Sequence, residues 1–225
     1  MKQLLFLILF TFSLNGYGLD YKEITKKYID ENQSKLIAPG SVVALVKDGR
    51  VEHFQTIGKR DVENSLPVER ETVFRIGSLT KTFTATAIVQ LREKGLLKLD
   101  DLVEDTIHEL RALAYPYPDS PKITIRHLLT HSSGLIRHPM PLDQSVNGLI
   151  KELLNPALGT SFVEDGSGMS WYPGYAYLYS NVGITLLGEV VTRISGMDVS
   201  DYIKQEILAP LGMDNTYWHE SEVPS

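Results

Sequence analysis

The 225-residue sequence contains no cysteine. Disulfide staples, thiol nucleophiles, thiolate metal sites and a lipid-anchoring cysteine are thereby excluded. It also lacks any arginine- or lysine-rich run or basic stripe. With a formal charge of −6 and a pI of about 5.5, the composition argues against a nucleic-acid partner. Internal repeats and low-complexity tracts are absent. No apolar run is long enough for a mature bilayer-spanning helix; the longest, Leu4 to Leu14, is too short.

That short run sits in MKQLLFLILFTFSLNGYG, residues 1–18. Lys2 gives a positive start, the apolar stretch follows, and Gly16-Tyr17-Gly18 offers a small-x-small cleavage site. This is the pattern of a secretory signal peptide cleaved near Gly18, with an uncleaved anchor as the alternative. The expectation is an exported, periplasmic or secreted protein with no stable membrane span after cleavage. A 43% hydrophobic composition is that of an ordinary globular protein, and a chain of this size can build a substantial core.

Beyond the leader, Tyr21 to Leu36 reads as an N-terminal helix, with Ile24, Tyr28 and Ile29 at helical spacing, stopped before Pro39-Gly40. Val42 to Val46 and Val51 to Ile57 are β-rich runs separated by Asp48-Gly49, a strong hairpin signal. A polar loop and a short extended piece, Val73 to Ile76, follow. Ser78 opens a largely apolar helix to about Lys94, with Gly95 as its stop. Thr124 caps IRHLLTH; Asn147 to Leu154 is a further helix; Thr160 to Gly174 is loop. Ser180 or Asn181 opens a helix through Ile194 that ends at Gly196, and Asp198 or Ser200 caps a last one to about Leu208. Helix, two strands, then helices is an α+β order rather than alternating β-α-β. The spans are 1–18 for the leader, 19–77 for the helix and hairpin, and 78–225 for the central helix and all-α region, the last two forming one combined domain.

In FRIGSLTKTFTA, Ser78 and Lys81 lie about 60° apart on a helix of 3.6 residues per turn, hence on one side. A serine hydroxyl is a poor nucleophile until a base takes its proton. A lysine can be that base only when neutral, and burial favours the neutral form. No acidic residue lies within one turn of Lys81 on this helix. The positive field of the helix start favours a developing oxyanion, and the Ser78 backbone N–H is a natural donor to it. The plainer alternative is a capping serine with a lysine whose tip reaches solvent. A second cluster, Tyr179-Ser180-Asn181, offers a phenol for proton relay and an amide for a substrate amide; its plainer alternative is a tyrosine-rich turn with a polar cap.

Taken together, FRIGSLTK, ITIRHLLTHSSGL, YPGYAYLYSNVGITLLGEVV and ILAPLGMDNTYW occur in an order that resembles the penicillin-recognising serine hydrolases. The likeness is to the class C β-lactamase branch, with its DD-peptidases and esterases, and runs from about Ile37 to Trp218. The resemblance implies a β-lactamase/transpeptidase-like fold. It implies Ser78 as acylated nucleophile, Lys81 and Tyr179 as sharing the proton transfers, and Asn181 as binding a substrate amide and helping to hold Lys81. It implies no cofactor and no metal. The substrate is expected to be a small molecule or peptide: a β-lactam, a D-Ala-D-Ala peptide or a small ester. The oligomeric state is left open.

The family's third motif, Lys-Thr-Gly or His-x-Gly, has no match after Asn181. The sequence is therefore read as stopping before that motif and before the C-terminal sheet strands. A non-catalytic binding protein or an inactive fragment is the alternative to an enzyme. His127 and His131, four residues apart, lack the His-Glu-x-x-His pattern and read as core or capping residues rather than metal ligands.

Overall fold

A computed structural model of the chain describes residues 21–32, 38–113, 115, 119–135, 145–154 and 172–224. The leader over 1–18 lies outside the described residues, as do the end of the first helix near Leu36 and most of the loop expected from Thr160. The chain divides into two compact units, Met1–Phe74 and Arg75–Ser225.

The first unit holds helix α1 (Tyr21–Asn32) and three strands. The apolar positions Ile24 and Tyr28 on α1 are 49% and 64% exposed. Strand β1 (Gly40–Lys47) pairs antiparallel with β2 (Arg50–Asp61), from Gly40 opposite Gly58 to Lys47 opposite Arg50, with a bulge at Leu45/Val46. Asp48 and Gly49 both have positive φ, 48° and 73°, as a two-residue hairpin turn requires. Beyond Gly58 the polar loop expected from sequence holds a third strand, β3 (Leu66–Pro67), paired with the end of β2. The Asp61 carboxylate closes the turn between them by accepting the Asn64 backbone and side-chain N–H groups. Pro67 cannot donate to a ladder, so it fits an edge strand only. Gly58 must be glycine twice over: its φ is +74°, and a Cβ would lie 2.1 Å from the Pro39 carbonyl oxygen. Among the described residues no ladder holds the short piece Val73 to Ile76, and Val73, Phe74 and Ile76 are exposed.

The second unit is helical. A 3₁₀ turn, Gly77–Leu79, leads into α2 (Thr80–Glu93). Then come α3 (Val103–Thr106), a 3₁₀ turn His108–Ala112, α4 (Ile125–Leu129), α5 (Val146–Leu153), α6 (Asn181–Ser195) and α7 (Val199–Ile203). The helix expected from Asp198 to Leu208 is two pieces: α7, then a wider π turn over Lys204–Leu208. The core is made by Ala87, Ile88 and Leu91 of α2 against Val182, Leu186, Leu187, Val190 and Val191 of α6, with Tyr202 and Ile203 of α7. Each fully buried large side chain contributes about 1.5–3 kcal/mol of hydrophobic stabilisation. Helix α2 buries a stripe rather than most of its surface, since Val89 is 39% exposed. Among the described residues no helix is long and apolar enough to cross a membrane.

Two polar fastenings complete the frame. The Asp100 carboxylate takes a forked pair of bonds from Arg126 at 2.7 and 2.8 Å, which holds its pKa below the ordinary carboxylate value. Arg193 of α6 reaches Glu109 through both Nη atoms, Glu189 through Nε and the Thr106 carbonyl through Nη1.

Candidate active site

The site is built where two helices begin. Gly77 adopts φ +54° with nothing within 4 Å of where its Cβ would stand, so conformation rather than crowding demands glycine there. The chain then tightens into the 3₁₀ turn that carries Ser78, and Lys81 follows in the first turn of α2. This differs from the sequence expectation of Ser78 as first residue of an α-helix, but the two side chains still share a face. Lys81 Nζ donates to Ser78 Oγ at 3.3 Å. Ser78 is exposed and Lys81 half-buried. Among the described residues no carboxylate forms an ion pair with Lys81.

Tyr179 comes from 101 residues away, and its hydroxyl donates to Ser78 Oγ at 2.8 Å. Lys81 Nζ stands 5.0 Å from the centre of the Tyr179 ring, over its face, where the ring quadrupole attracts a cation. The seryl oxygen is thus flanked by an amine and a phenol. Tyr179 directly precedes Ser180, the N-cap of α6, which is fully buried and accepts the Gly183 N–H at 3.0 Å. The cap fixes where α6 starts and therefore where the chain before it leaves the core. Asn181, first residue of α6, has its amide oxygen shielded from solvent, and its backbone carbonyl accepts the Thr185 hydroxyl at 3.2 Å.

The two histidines weighed as metal ligands are placed otherwise. His127 completes a reciprocal cap with Thr124: Thr124 Oγ1 accepts the His127 N–H, and His127 Nδ1 accepts the Thr124 N–H. Burial holds its pKa below the ordinary histidine value. His131 packs its ring on that of Tyr179, centroids 4.6 Å apart and planes at 36°. The sequence points only to a core or capping role for it; a histidine flanked by Thr and Ser-Ser-Gly carries no signal of this neighbour.

A serine nucleophile candidate one helical turn from a lysine, with a tyrosine arriving at the same oxygen, invites comparison with known proteins. Residues 26–224 match the model of the beta-lactamase family. The chain belongs to the beta-lactamase family. It is 30% identical over 188 residues to penicillin-binding protein 4* of Bacillus subtilis (strain 168), covering 79% of this chain and 37% of that one. Among solved structures, an octameric penicillin-binding protein homologue from Pyrococcus abyssi superposes with a TM-score of 0.72 at 33% identity, over 91% of this chain and 46% of that one. A class C β-lactamase in complex with cefoxitin also gives 0.72, at 27% identity, over 91% and 52%. The fold is the β-lactamase/transpeptidase-like α+β fold, and the family is one of serine hydrolases that includes penicillin-binding proteins and class C β-lactamases. The chain spans about half the length of these solved structures and under two fifths of the curated relative.

Proposed function

We propose that this family member is an exported serine hydrolase that works through an acyl-enzyme on Ser78, with a β-lactam, a D-Ala-D-Ala peptide or a small ester as substrate. One observation carries the reading. Ser78 Oγ, exposed to solvent, is within hydrogen-bond reach of two groups able to carry its proton, Tyr179 Oη at 2.8 Å and Lys81 Nζ at 3.3 Å. Candidate nucleophile and base must first lie within such reach.

In the first half-reaction the Tyr179–Lys81 pair draws the proton from Ser78 Oγ as Oγ bonds to the substrate carbonyl carbon. The two act as a unit that must offer one unshared pair for this step, on a neutral Lys81 amine or on a Tyr179 phenolate, and whichever holds it is the immediate acceptor. The oxyanion that forms faces the start of α2, where the Ser78 backbone N–H and the helix field favour negative charge. Collapse breaks the bond to the leaving amine or alcohol, which takes the proton back from the pair. Water then adds to the acyl carbon, loses its proton to the same pair, and Oγ departs reprotonated. Asn181, beside Tyr179 at the start of α6, is assigned the substrate's amide group. Export rests on the signal-like leader.

The test is intact-protein and peptide mass spectrometry after incubation with a fluorescent penicillin and, separately, a p-nitrophenyl ester. The expected result is one adduct, on the peptide containing Ser78, absent from Ser78→Ala. Equal labelling of the variant refutes the assignment. Reversible binding with no adduct on either protein makes the chain a binding relative instead.

A further inference from the structure

Between α4 and α5 one residue holds Tyr179 from both sides. The His131 carbonyl accepts the N–H of Leu178 at 2.7 Å, and the His131 ring accepts the N–H of Ser180 through Nδ1 at 3.2 Å. These N–H groups belong to the two residues that flank Tyr179 in the chain. The ring also lies on the phenol itself, 4.6 Å between centroids, and makes an edge contact with Tyr177 at 5.9 Å. Next door, the Ser132 carbonyl accepts the Gly174 N–H at 2.8 Å, so the stretch after α4 runs hydrogen-bonded along the stretch before α6. His131 reaches both amides because its backbone is left-handed, φ +54°, a conformation that few residues with a side chain adopt.

We infer that His131 is a positioning residue for Tyr179, gripping the amides on both sides of it and so holding the phenol hydroxyl on Ser78 Oγ. The inference rests on the proposed acyl-serine reading for its catalytic meaning, though not for its geometry. It requires a neutral imidazole with Nδ1 bare and Nε2 protonated. Protonation would turn Nδ1 into a donor facing a donor, and the Ser180 N–H bond would be lost. Among the described residues, the charged and titratable groups facing the ring are Lys81 from α2 and Tyr177 and Tyr179 from the segment before α6. Burial first and the Lys81 charge second hold the His131 pKa below its ordinary value of 6.5, so the grip is in place at neutral pH and released as the solution turns acid. Anything that loosens the grip frees the phenol to leave Oγ, and a small misplacement of a reacting group is worth roughly 100-fold in rate.

Two variants and one spectroscopic measurement test this. Asparagine tolerates the left-handed backbone and puts an acceptor near the place of Nδ1; alanine offers none. Acylation of Ser78 by the fluorescent penicillin is expected to fall about 10- to 100-fold in His131→Ala and to be largely restored in His131→Asn. The wild-type rate should show a decline below pH 6.5 that His131→Asn lacks. Independently of any turnover, ¹⁵N-histidine NMR of the wild-type chain should find Nδ1 unprotonated at pH 7. The Ser180 amide and the Tyr179 ring resonances should then shift with the His131 midpoint. A protonated Nδ1 at pH 7, or Ser180 and Tyr179 signals indifferent to that midpoint, overturns the inference. So does full-rate acylation by His131→Ala. If the NMR result is as expected and wild type forms no adduct, the positioning geometry stands and the acyl-serine reading fails.

Discussion

Replacing Arg193 by methionine removes the cation that joins α6 to the turn at His108–Ala112 while keeping an apolar stem of similar volume to the arginine's. The pair it forms with Glu109 is forked, 2.8 and 2.9 Å, and the hydrogen bonds from Arg193 are the main reason the Glu109 pKa falls from 4.5 to about 2. Taken at face value that displacement corresponds to about 3 kcal/mol of preference for the ionised, folded form. Glu109 is 45% exposed and Arg193 26%, so water screens the pair and less than half of that survives, about 1–1.5 kcal/mol. In the variant, Glu109 and Glu189 also lose the cation between them, which raises the cost to about 1.5 kcal/mol. The sign with pH is set by the lowered value: the stabilisation is fully present above pH 4.5 and is lost as pH falls towards 2. With the coupling screened to that extent, most of the pair's contribution is already gone at pH 3. Urea unfolding of both proteins at pH 7, 4.5 and 3 measures the gap directly. A gap of the same size at pH 7 and pH 3 would assign the effect to the packing of the arginine stem and refute the ion-pair account; no gap at pH 7 would do so as well.

Tyr179→Phe keeps the ring on His131 and under Lys81 but deletes the 2.8 Å bond to Ser78 Oγ. Acylation of Ser78 is expected to drop about 100-fold or more with the melting temperature unchanged, and a wild-type rate in a stopped-flow assay would remove Tyr179 from the mechanism. Gly188→Ala in α6 is expected to stabilise by about 0.5–1 kcal/mol through helix propensity. Its Cβ would meet Val199 Cγ1 at 3.6 Å, an ordinary contact; a lower rather than higher midpoint in thermal unfolding would mean that α6 and α7 lie closer than described.

Local features were the most legible in the sequence. Asp48-Gly49 announced its hairpin because only a few residues accept two successive positive φ angles. Ser180 and Thr124 announced helix starts because their hydroxyls serve the orphan N–H groups of the first turn. Ser78 and Lys81 could be paired by helical spacing alone. Tyr179 could not: its approach to Ser78 spans 101 residues, and in the sequence only the family resemblance links the two. Strand β3 was hidden because two residues, one of them proline, carry no period. His131 stayed opaque for a different reason. Its importance lies in a backbone twist and in bonds to main-chain amides, and neither leaves a mark on the identities of the residues around it.

The two groups at the nucleophile do not depend on the fold to the same degree. The serine–lysine contact is made within a single turn of chain, so it persists wherever α2 itself persists. The tyrosine contact survives only while the α2 and α6 seam is closed. A warmed molecule whose seam breathes open therefore passes through a form with its lysine still at hand and its phenol gone. In that form the protein still looks helical to circular dichroism. Loss of reactivity on heating should come ahead of loss of helix, and the interval between the two is a direct gauge of how firmly the seam is shut.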